Sequence, residues 1–366
     1  MSHAERPTAP DPTPLAPSGG RARPGVLTGG EVSAIPTEAA EIRAALQASG
    51  RPEGVATAPL LTHPYPTALG LAGVPRSPAT WLSLTSRMLV VQWRDPDGTR
   101  RTLLWEPRDH ERSPHLPDAY LAARRMPMRR VVHGTVPGHL RALGLAPAEV
   151  DYVAFSTLRG LDPRRLLGTT APASDLGSPH RALEGWLPRA RLLVARAEWE
   201  ALEHLHPLQR PWYQPGAFAE LAAERVVELE SDAQVGPGVA LLATPGRTCG
   251  HLSLALHTDG GVWVCSGNGV AAESWAPRAS RIAGLRAWAV AWGREVLPCA
   301  DDPVSVAAQY DAMLLERQVA DTSRLAPFPQ CLPTSELTAH RLAPGLSPTH
   351  AHRAVTHGVV RGSSPV

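Results

Sequence analysis

Residues Ala243 to Asn268, ATPGRTCGHLSLALHTDGGVWVCSGN, form the stretch of sequence that decides the fold. Apolar residues dominate Leu252 to His257 and Val262 to Cys265, and Gly260-Gly261 lies between these two runs. Short apolar runs separated by a glycine-containing turn are typical of two paired strands. The stretch therefore predicts a hairpin bounded on both sides by glycine-containing turns.

This passage resembles the "TPGHTPGH, strand, turn, strand, GD" passage of metallo-β-lactamase-fold hydrolases, which Thr244-Pro245-Gly246 and Gly250-His251 match. In that family the first histidine and the aspartate are zinc ligands, and here Arg247 and Asn268 stand in their places. The resemblance covers roughly residues 80 to 300. It implies an α/β layered fold, a sandwich of two sheets with helices outside (αββα).

A second motif of the family, H-x-H-x-D-H, follows a buried strand, for which Asp151 to Phe155 is the candidate here. The resemblance then places Thr157 and Arg159 at the first two histidines, and Asp162 one residue after the aspartate position. The last ligand histidine of the family falls at Ala300, beside Asp301. Every zinc-ligand histidine position that the resemblance identifies therefore holds another residue.

The substituted residues are poor zinc ligands, because threonine and asparagine bind zinc weakly and arginine stays cationic at any physiological pH. The resemblance thus predicts a protein that has lost dinuclear zinc hydrolase activity and binds no cofactor. Its old cleft would bind a small anionic molecule or a partner protein, either a second copy or an active homologue. The alternative is a divergent metallo-hydrolase that acts on an ester, lactone or similar acyl substrate with substituted zinc ligands.

Two interpretations of the arginines stay open at this point. Arg159 and Arg247 could pair with Asp162 and Asp301 in place of the metal, because guanidinium groups bind carboxylates through two hydrogen bonds. They could equally point into solvent. These residues, with Thr157, Asn268 and His251, form the candidate ligand pocket. The family pattern favours a core or supporting role over metal binding for His251.

Other residues offer weaker candidates for chemistry. A rebuilt metal site would draw on His110, His133 and Asp162, since imidazole and carboxylate are zinc ligands. Cys249 stands two residues before His251, but a nucleophilic thiol needs an adjacent oriented base, so a buried structural cysteine is favoured.

Composition predicts how the chain is organised. Residues 1–35 are rich in Pro, Gly, Ala and Thr and predict a disordered tail. A short helix and a Pro-rich linker are expected over 36–79, the metallo-β-lactamase-like domain over 80–325, and a C-terminal extension over 326–366.

The overall composition also excludes some classes of function. The formal net charge is only +2, and arginine supplies all 36 basic residues without interleaved aromatic residues, so nucleic-acid binding is not expected. No apolar run approaches the roughly 20 residues needed to span a bilayer. Four separated cysteines without a CxxC pair indicate a reducing compartment, so we predict a cytoplasmic location.

Overall fold

The computed structural model describes residues 7–15, 26–114, 130–302, 305–324, 327–338 and 346–362. Strands in these ranges are β1 Thr13–Pro14, β2 Gly54–Pro66, β3 Trp81–Arg94, β4 Arg100–Trp105, β5 Val131–Val132, β6 Tyr152–Ala154, β7 Pro172–Ala173, β8 Ser178–Ala182, β9 Arg191–Ala195, β10 Val226–Leu229, β11 Ala233–Gly236, β12 Val239–Ala243, β13 Leu252–Thr258, β14 Gly261–Ser266, β15 Cys331–Pro333, β16 Ser335–Leu337 and β17 His357–Gly358. The α-helices are α1 Gly29–Val32, α2 Ile35–Ala48, α3 Thr67–Gly70, α4 Val136–Ala142, α5 Arg164–Leu167, α6 Arg196–Ala201, α7 Ala272–Trp275, α8 Leu285–Ala291 and α9 Val306–Val319.

Two sheets face each other across the main core. The larger has the order β10-β9-β6-β4-β3-β2-β17, with β16 paired to β3 and β5 to β2, and the smaller has the order β1-β11-β12-β13-β14-β15. Trp93 and Tyr152 of the larger sheet share one buried cluster with Leu241 and Leu254 of the smaller. Side chains alternate between the two faces of a strand, so Val90, three residues before Trp93 in β3, is buried on the opposite face of the larger sheet.

Helices cover both outer faces. Leu140 of α4 packs in the cluster behind the larger sheet. Ile42 of α2 and Met313 of α9 pack on Leu242 and Val264 behind the smaller sheet. This order of layers confirms the αββα sandwich that the resemblance implies.

The hairpin predicted from the sequence is present, since Leu254 pairs with Cys265 in the antiparallel β13–β14 pair. A second hairpin joins β3 and β4, where Val91 pairs with Leu103. β5 is short, because Thr135 caps α4 by accepting a hydrogen bond from the Gly138 amide at 3.2 Å.

The N-terminal stretch differs from the predicted disordered tail over two of its parts, 7–15 and 26–35. The side chain of Leu15 is buried, and β1 pairs with β11. Arg101 donates to the carbonyl oxygen of Pro7 at 2.9 Å, and Tyr152 donates to that of Pro10. Proline has no amide hydrogen, so a proline-rich segment can lie on a surface through its carbonyl acceptors alone. Residues 1–6 and 16–25 lie outside the described ranges.

The linker and the C-terminal extension also differ from expectation. β2 falls within the predicted linker and pairs with β3 along its length, with a register shift between Pro59 and Leu61 where proline lacks a donor. β15 and β16 belong to the predicted extension, yet they complete the smaller sheet and join the larger one. Both segments therefore contribute to the sandwich. The boundaries at 79/80 and 325/326 stay predictions.

No helix in the described ranges has the length and apolar character needed to cross a membrane.

Candidate functional site

Loops from both sheets meet at one edge of the sandwich, around a cavity of about 470 Å³. The loop after β6, the turn between β12 and β13, and the residues after β14 all reach this edge. The turn needs glycine at position 246, since a Cβ there would lie 2.3 Å from the Asn268 Oδ1. Six arginines line the cavity: Arg108, Arg112, Arg159, Arg164, Arg210 and Arg247.

Arg159 and Arg247 share one carboxylate. The Asp301 Oδ2 forms an ion pair with the Arg247 Nη2 and lies 3.5 Å from the Arg159 Nη2. The Tyr65 hydroxyl donates to the same oxygen at 2.9 Å. The Arg159 guanidinium also stacks 4.1 Å above the Trp212 ring. Of the two interpretations left open by the sequence, the structure therefore favours pairing over solvent exposure.

The charges of this cluster set the protonation state of Asp301. Burial alone would raise the pKa of its carboxyl, but the Arg247 and Arg159 charges outweigh burial and lower that pKa to about 2 from its ordinary 3.8. A pKa lowered by folding contributes stability that is present above the ordinary value and is lost as the pH falls towards the folded value. Asp301 is therefore ionised at neutral pH and stabilises the fold there.

Asp162 does not pair with Arg159 or Arg247, which is one of the pairings that the sequence suggested. Its Oδ2 lies 2.8 Å from the Arg164 Nη2 and 3.3 Å from the Arg112 Nη2. Both arginines also reach Asp175. Asp162 thus belongs to a second ion cluster in the wall of the cavity.

Two buried glutamates hold the loop after β6, and sequence reasoning missed both. Glu198 accepts hydrogen bonds from the Thr157 hydroxyl at 3.2 Å and from the Leu158 amide at 3.0 Å. Glu106 accepts from the Ser156 amide at 2.8 Å and has a φ of 57°, a strained value for a residue other than glycine. Neither glutamate belongs to a local motif, so only the fold brings it to the loop.

Asn268 and His251 lie beneath the cavity, fully buried. The Asn268 Nδ2 donates to the Glu316 Oε1 at 2.7 Å, and the Arg247 amide donates to the Asn268 Oδ1 at 3.3 Å. The His251 Nδ1 lies 3.0 Å from the Thr244 hydroxyl. Burial, assisted by the Arg247 charge, lowers the pKa of His251 to about 3, so this imidazole is neutral.

Glu316 was also missed from the sequence, because it lies on α9, far along the chain. Burial raises the pKa of its carboxyl, although hydrogen bonds from Ser266, Asn268, Ser253 and Trp275 oppose that shift. Four neutral donors and no cation surround it among the described side chains.

The fallback metal ligands do not converge. The His133 Nε2 lies 2.7 Å from the Thr62 hydroxyl, while His110 lines a separate cavity and Asp162 is paired with arginines. No group of three or more His, Cys, Asp or Glu side chains suited to a metal ion occurs in the described ranges. The described side chains at the positions that the resemblance assigns to zinc ligands therefore do not form such a group.

Cys249 differs from the expected buried cysteine, because it is exposed. Burial of the sulfur itself, together with the Glu198 charge, raises the pKa of its thiol to about 11. The thiol is therefore protonated at neutral pH, which argues against a nucleophilic role.

Tyr65→Phe tests the hydrogen bond to Asp301. Loss of one hydrogen bond to a buried charged group is expected to lower the free energy of unfolding by about 1.5–3 kcal/mol. The matched control is Tyr310→Phe, whose hydroxyl accepts from the Glu295 amide at the surface, with an expected change below about 0.5 kcal/mol. Urea denaturation of both variants measures the difference, and equal losses would contradict a special role for Tyr65.

Comparisons with known proteins agree with this fold. No family model matches the chain. A segment of 100 residues is 33% identical to an N-acyl homoserine lactonase from Bacillus sp., and this match spans 27% of the chain and 36% of the relative's length.

Two solved structures resemble the fold over most of the chain. One is a probable metal-dependent hydrolase from Staphylococcus aureus, with a TM-score of 0.50 and 12% identity over 85% of this chain and 98% of that one. The other, hydrolase AbOPH of the beta lactamase superfamily, has a TM-score of 0.45 and 14% identity over 86% and 96% of the two chains. The chain has a metallo-β-lactamase-like fold.

The resemblance to the hydrolase from Staphylococcus aureus corrects one prediction from the sequence. The prediction that the chain binds no cofactor is contradicted, since a protein of the same fold is described as a probable metal-dependent hydrolase. Metal content is therefore a property to be measured in this protein.

Proposed function

We propose that this chain, which has a metallo-β-lactamase-like fold with arginines at two former ligand positions, binds a small anionic molecule in the arginine-lined cavity. In this proposal it has lost dinuclear zinc hydrolase activity. The observation that carries the proposal is the excess of positive charge around the cavity.

Six arginines line the cavity, and four carboxylates pair with five of them: Glu106, Asp162, Asp175 and Asp301. An excess of two positive charges therefore remains among the described residues. A concave site lined by charge of one sign attracts ligands of the opposite sign. The carboxylate of a bound ligand would reduce this excess of positive charge.

Two arginine nitrogen atoms without hydrogen-bond partners also support binding of an anion. The Nε atoms of Arg159 and Arg247 are buried and have no hydrogen-bond partner among the described residues. A buried donor without a partner costs free energy, which a ligand oxygen can recover. The stack on Trp212 holds the Arg159 guanidinium plane in one orientation, so less entropy is lost when a ligand binds.

Thermal denaturation with small carboxylates and phosphate tests the proposal. At about ten times the dissociation constant, a ligand raises the free energy of unfolding by about 1.4 kcal/mol, which amounts to a few degrees in Tm. Arg247→Ala and Arg159→Ala should each weaken binding about tenfold or more, since each removes a charge-assisted hydrogen bond. Arg210→Ala, at the exposed rim, should weaken it less.

Arg286→Ala is the matched control, because Arg286 is exposed on α8 and does not line the cavity. Calorimetric titration of each variant, after circular dichroism has shown that it is folded, separates lost affinity from lost stability. If no anion shifts the Tm of the unmodified protein, or if both cavity variants bind as well as the control, the proposal is wrong.

A second candidate function is hydrolysis of a lactone or related acyl substrate. The local match to an N-acyl homoserine lactonase favours it. The test is the zinc content of protein prepared with added zinc, followed by a lactone-opening assay before and after chelation. Turnover that disappears on chelation and returns with zinc would favour this candidate over anion binding alone.

The cytoplasmic location, and a second copy or an active homologue as partner, stay predictions from the sequence.

A further inference from the structure

A second cavity of about 800 Å³ adjoins the arginine-lined one. Arg210, Tyr213, Gln214 and Pro215 line both cavities. The two cavities are therefore neighbours that share part of one wall.

The second cavity has an apolar surface formed by Trp199, Leu202, Leu205 and Phe218, which we call the apolar groove. These side chains are half-buried and pack against the core behind the larger sheet. The Trp199 and Phe218 rings meet edge to face, with their centroids 6.1 Å apart. Covering apolar surface of this kind with an apolar group of a ligand lowers the free energy of the complex.

The charges of the two cavities are opposite in sign. Glu200, Glu203 and Glu228 line the second cavity, and its single arginine is Arg210, shared with the first. Only Asp175 among the lining residues of the first cavity is acidic. An anionic head is therefore favoured in the first cavity and disfavoured in the second, which fixes the direction of a ligand that occupies both.

From this polarity we infer that the ligand is a carboxylate with an apolar tail, its head among the arginines and its tail in the apolar groove. The inference rests on the proposed function, since it assigns a ligand class to the same site. In this proposal the tail crosses the shared wall at Gln214, whose amide must then release the carbonyl oxygens of Arg112 and Gly160.

Titration calorimetry with butyrate, hexanoate and decanoate tests this inference on the full chain. Burial of each additional methylene group is expected to tighten binding by about fourfold, so decanoate should bind far more tightly than butyrate. Affinity independent of tail length would overturn the inference while leaving the proposed function intact. Failure of all three acids to bind would overturn the inference, and failure of phosphate to bind as well would remove the proposed function too.

Two variants locate the tail. Phe218→Ala removes an aromatic wall of the groove, and Ala219→Trp fills the groove from an exposed position without removing any packed side chain. Both should weaken decanoate binding tenfold or more and leave butyrate binding unchanged. Leu208→Ala is the control, because Leu208 is 56% exposed and does not line the groove.

The groove glutamates suggest one competing ligand class, a carboxylate with a cationic far end. We expect 10-aminodecanoate to bind more weakly than decanoate, because its ammonium group would have to leave water at an apolar surface. Tighter binding of the amino acid would overturn the apolar-tail inference. It would assign the glutamates, rather than the aromatic side chains, to recognition of the far end.

Discussion

Asp301→Asn is expected to lower the free energy of unfolding by about 3–5 kcal/mol, the usual effect of removing one partner from a buried ion pair. Asp301 is fully buried within the fold, and in the described ranges it is the only carboxylate within ion-pair distance of Arg159 or Arg247. The variant leaves two buried guanidinium groups without a counter-charge. Urea denaturation at neutral pH measures the loss.

Asp259→Asn is the matched control, because Asp259 pairs with Arg51 at 2.9 Å but has a side chain 73% exposed to solvent. Exposed pairs contribute about 0–1 kcal/mol, so little change is expected there. Similar losses in the two variants would show that the buried pair has no special role.

The same substitution should strengthen anion binding. With the internal carboxylate gone, a ligand carboxylate would be the only partner of the two arginines, so carboxylates should stabilise the Asp301→Asn protein more than the unmodified one. Because the pKa of Asp301 is lowered to about 2 from 3.8, the stability gap between the two proteins should narrow as the pH falls below about 4. A gap that is unchanged down to pH 3, or an anion affinity that falls, would contradict this account.

Asn268→Asp, which restores the family's bridging aspartate, is expected to destabilise the protein by about 2–4 kcal/mol at neutral pH. The new carboxylate would lie at the position where the Asn268 Nδ2 now meets the Glu316 Oε1 at 2.7 Å, and both side chains are fully buried. Two carboxylates this close cannot both be ionised, so one must hold a proton well above its ordinary pKa. A raised pKa gives stability at low pH that is lost as the pH rises, so the deficit should grow between pH 5 and pH 8.

A double-mutant cycle gives the decisive comparison. Glu316→Gln in the Asn268→Asp background removes one of the two acids and should recover a large part of the lost stability. Gln209→Glu is a comparison at a half-buried side chain that faces Asp302 across a 2.7 Å contact, and it should cost less than Asn268→Asp, because the new carboxylate can turn into solvent. An Asn268→Asp protein as stable as the parent at pH 8 would contradict the repulsion argument.

These two predictions explain why single substitutions would not rebuild the family site. Asp301 is bound by two arginines, Arg159 and Arg247, and Asn268 bonds Glu316. Asn268 is thus fitted to a neighbour that would oppose an aspartate at its position, and the arginines are fitted to a carboxylate. The effect of each substitution therefore depends on the residue that its side chain contacts.

Much of the fold could be predicted from local pattern and family resemblance. The hairpin β13–β14 was expected because apolar runs separated by turn residues specify a strand pair over a short span. The segments 54–66 and 331–337 were misread because their prolines are typical of linkers, and only pairing with distant strands makes them part of the sheets.

The candidate site, like the fold, was only partly predictable from the sequence. The sequence by itself determined which residues stand in the turn between β12 and β13 and after β14, because the order of residues is a local property; that Arg247 and Asn268 occupy former ligand positions stays a prediction from the resemblance. Only the tertiary structure decided that Asp301, and not Asp162, pairs with Arg247, and that Glu106, Glu198 and Glu316 lie behind these loops. Those partners are separated along the chain by about 40 residues or more. No short-range pattern encodes such contacts, since they arise when the packing of two sheets brings loops from both to one edge.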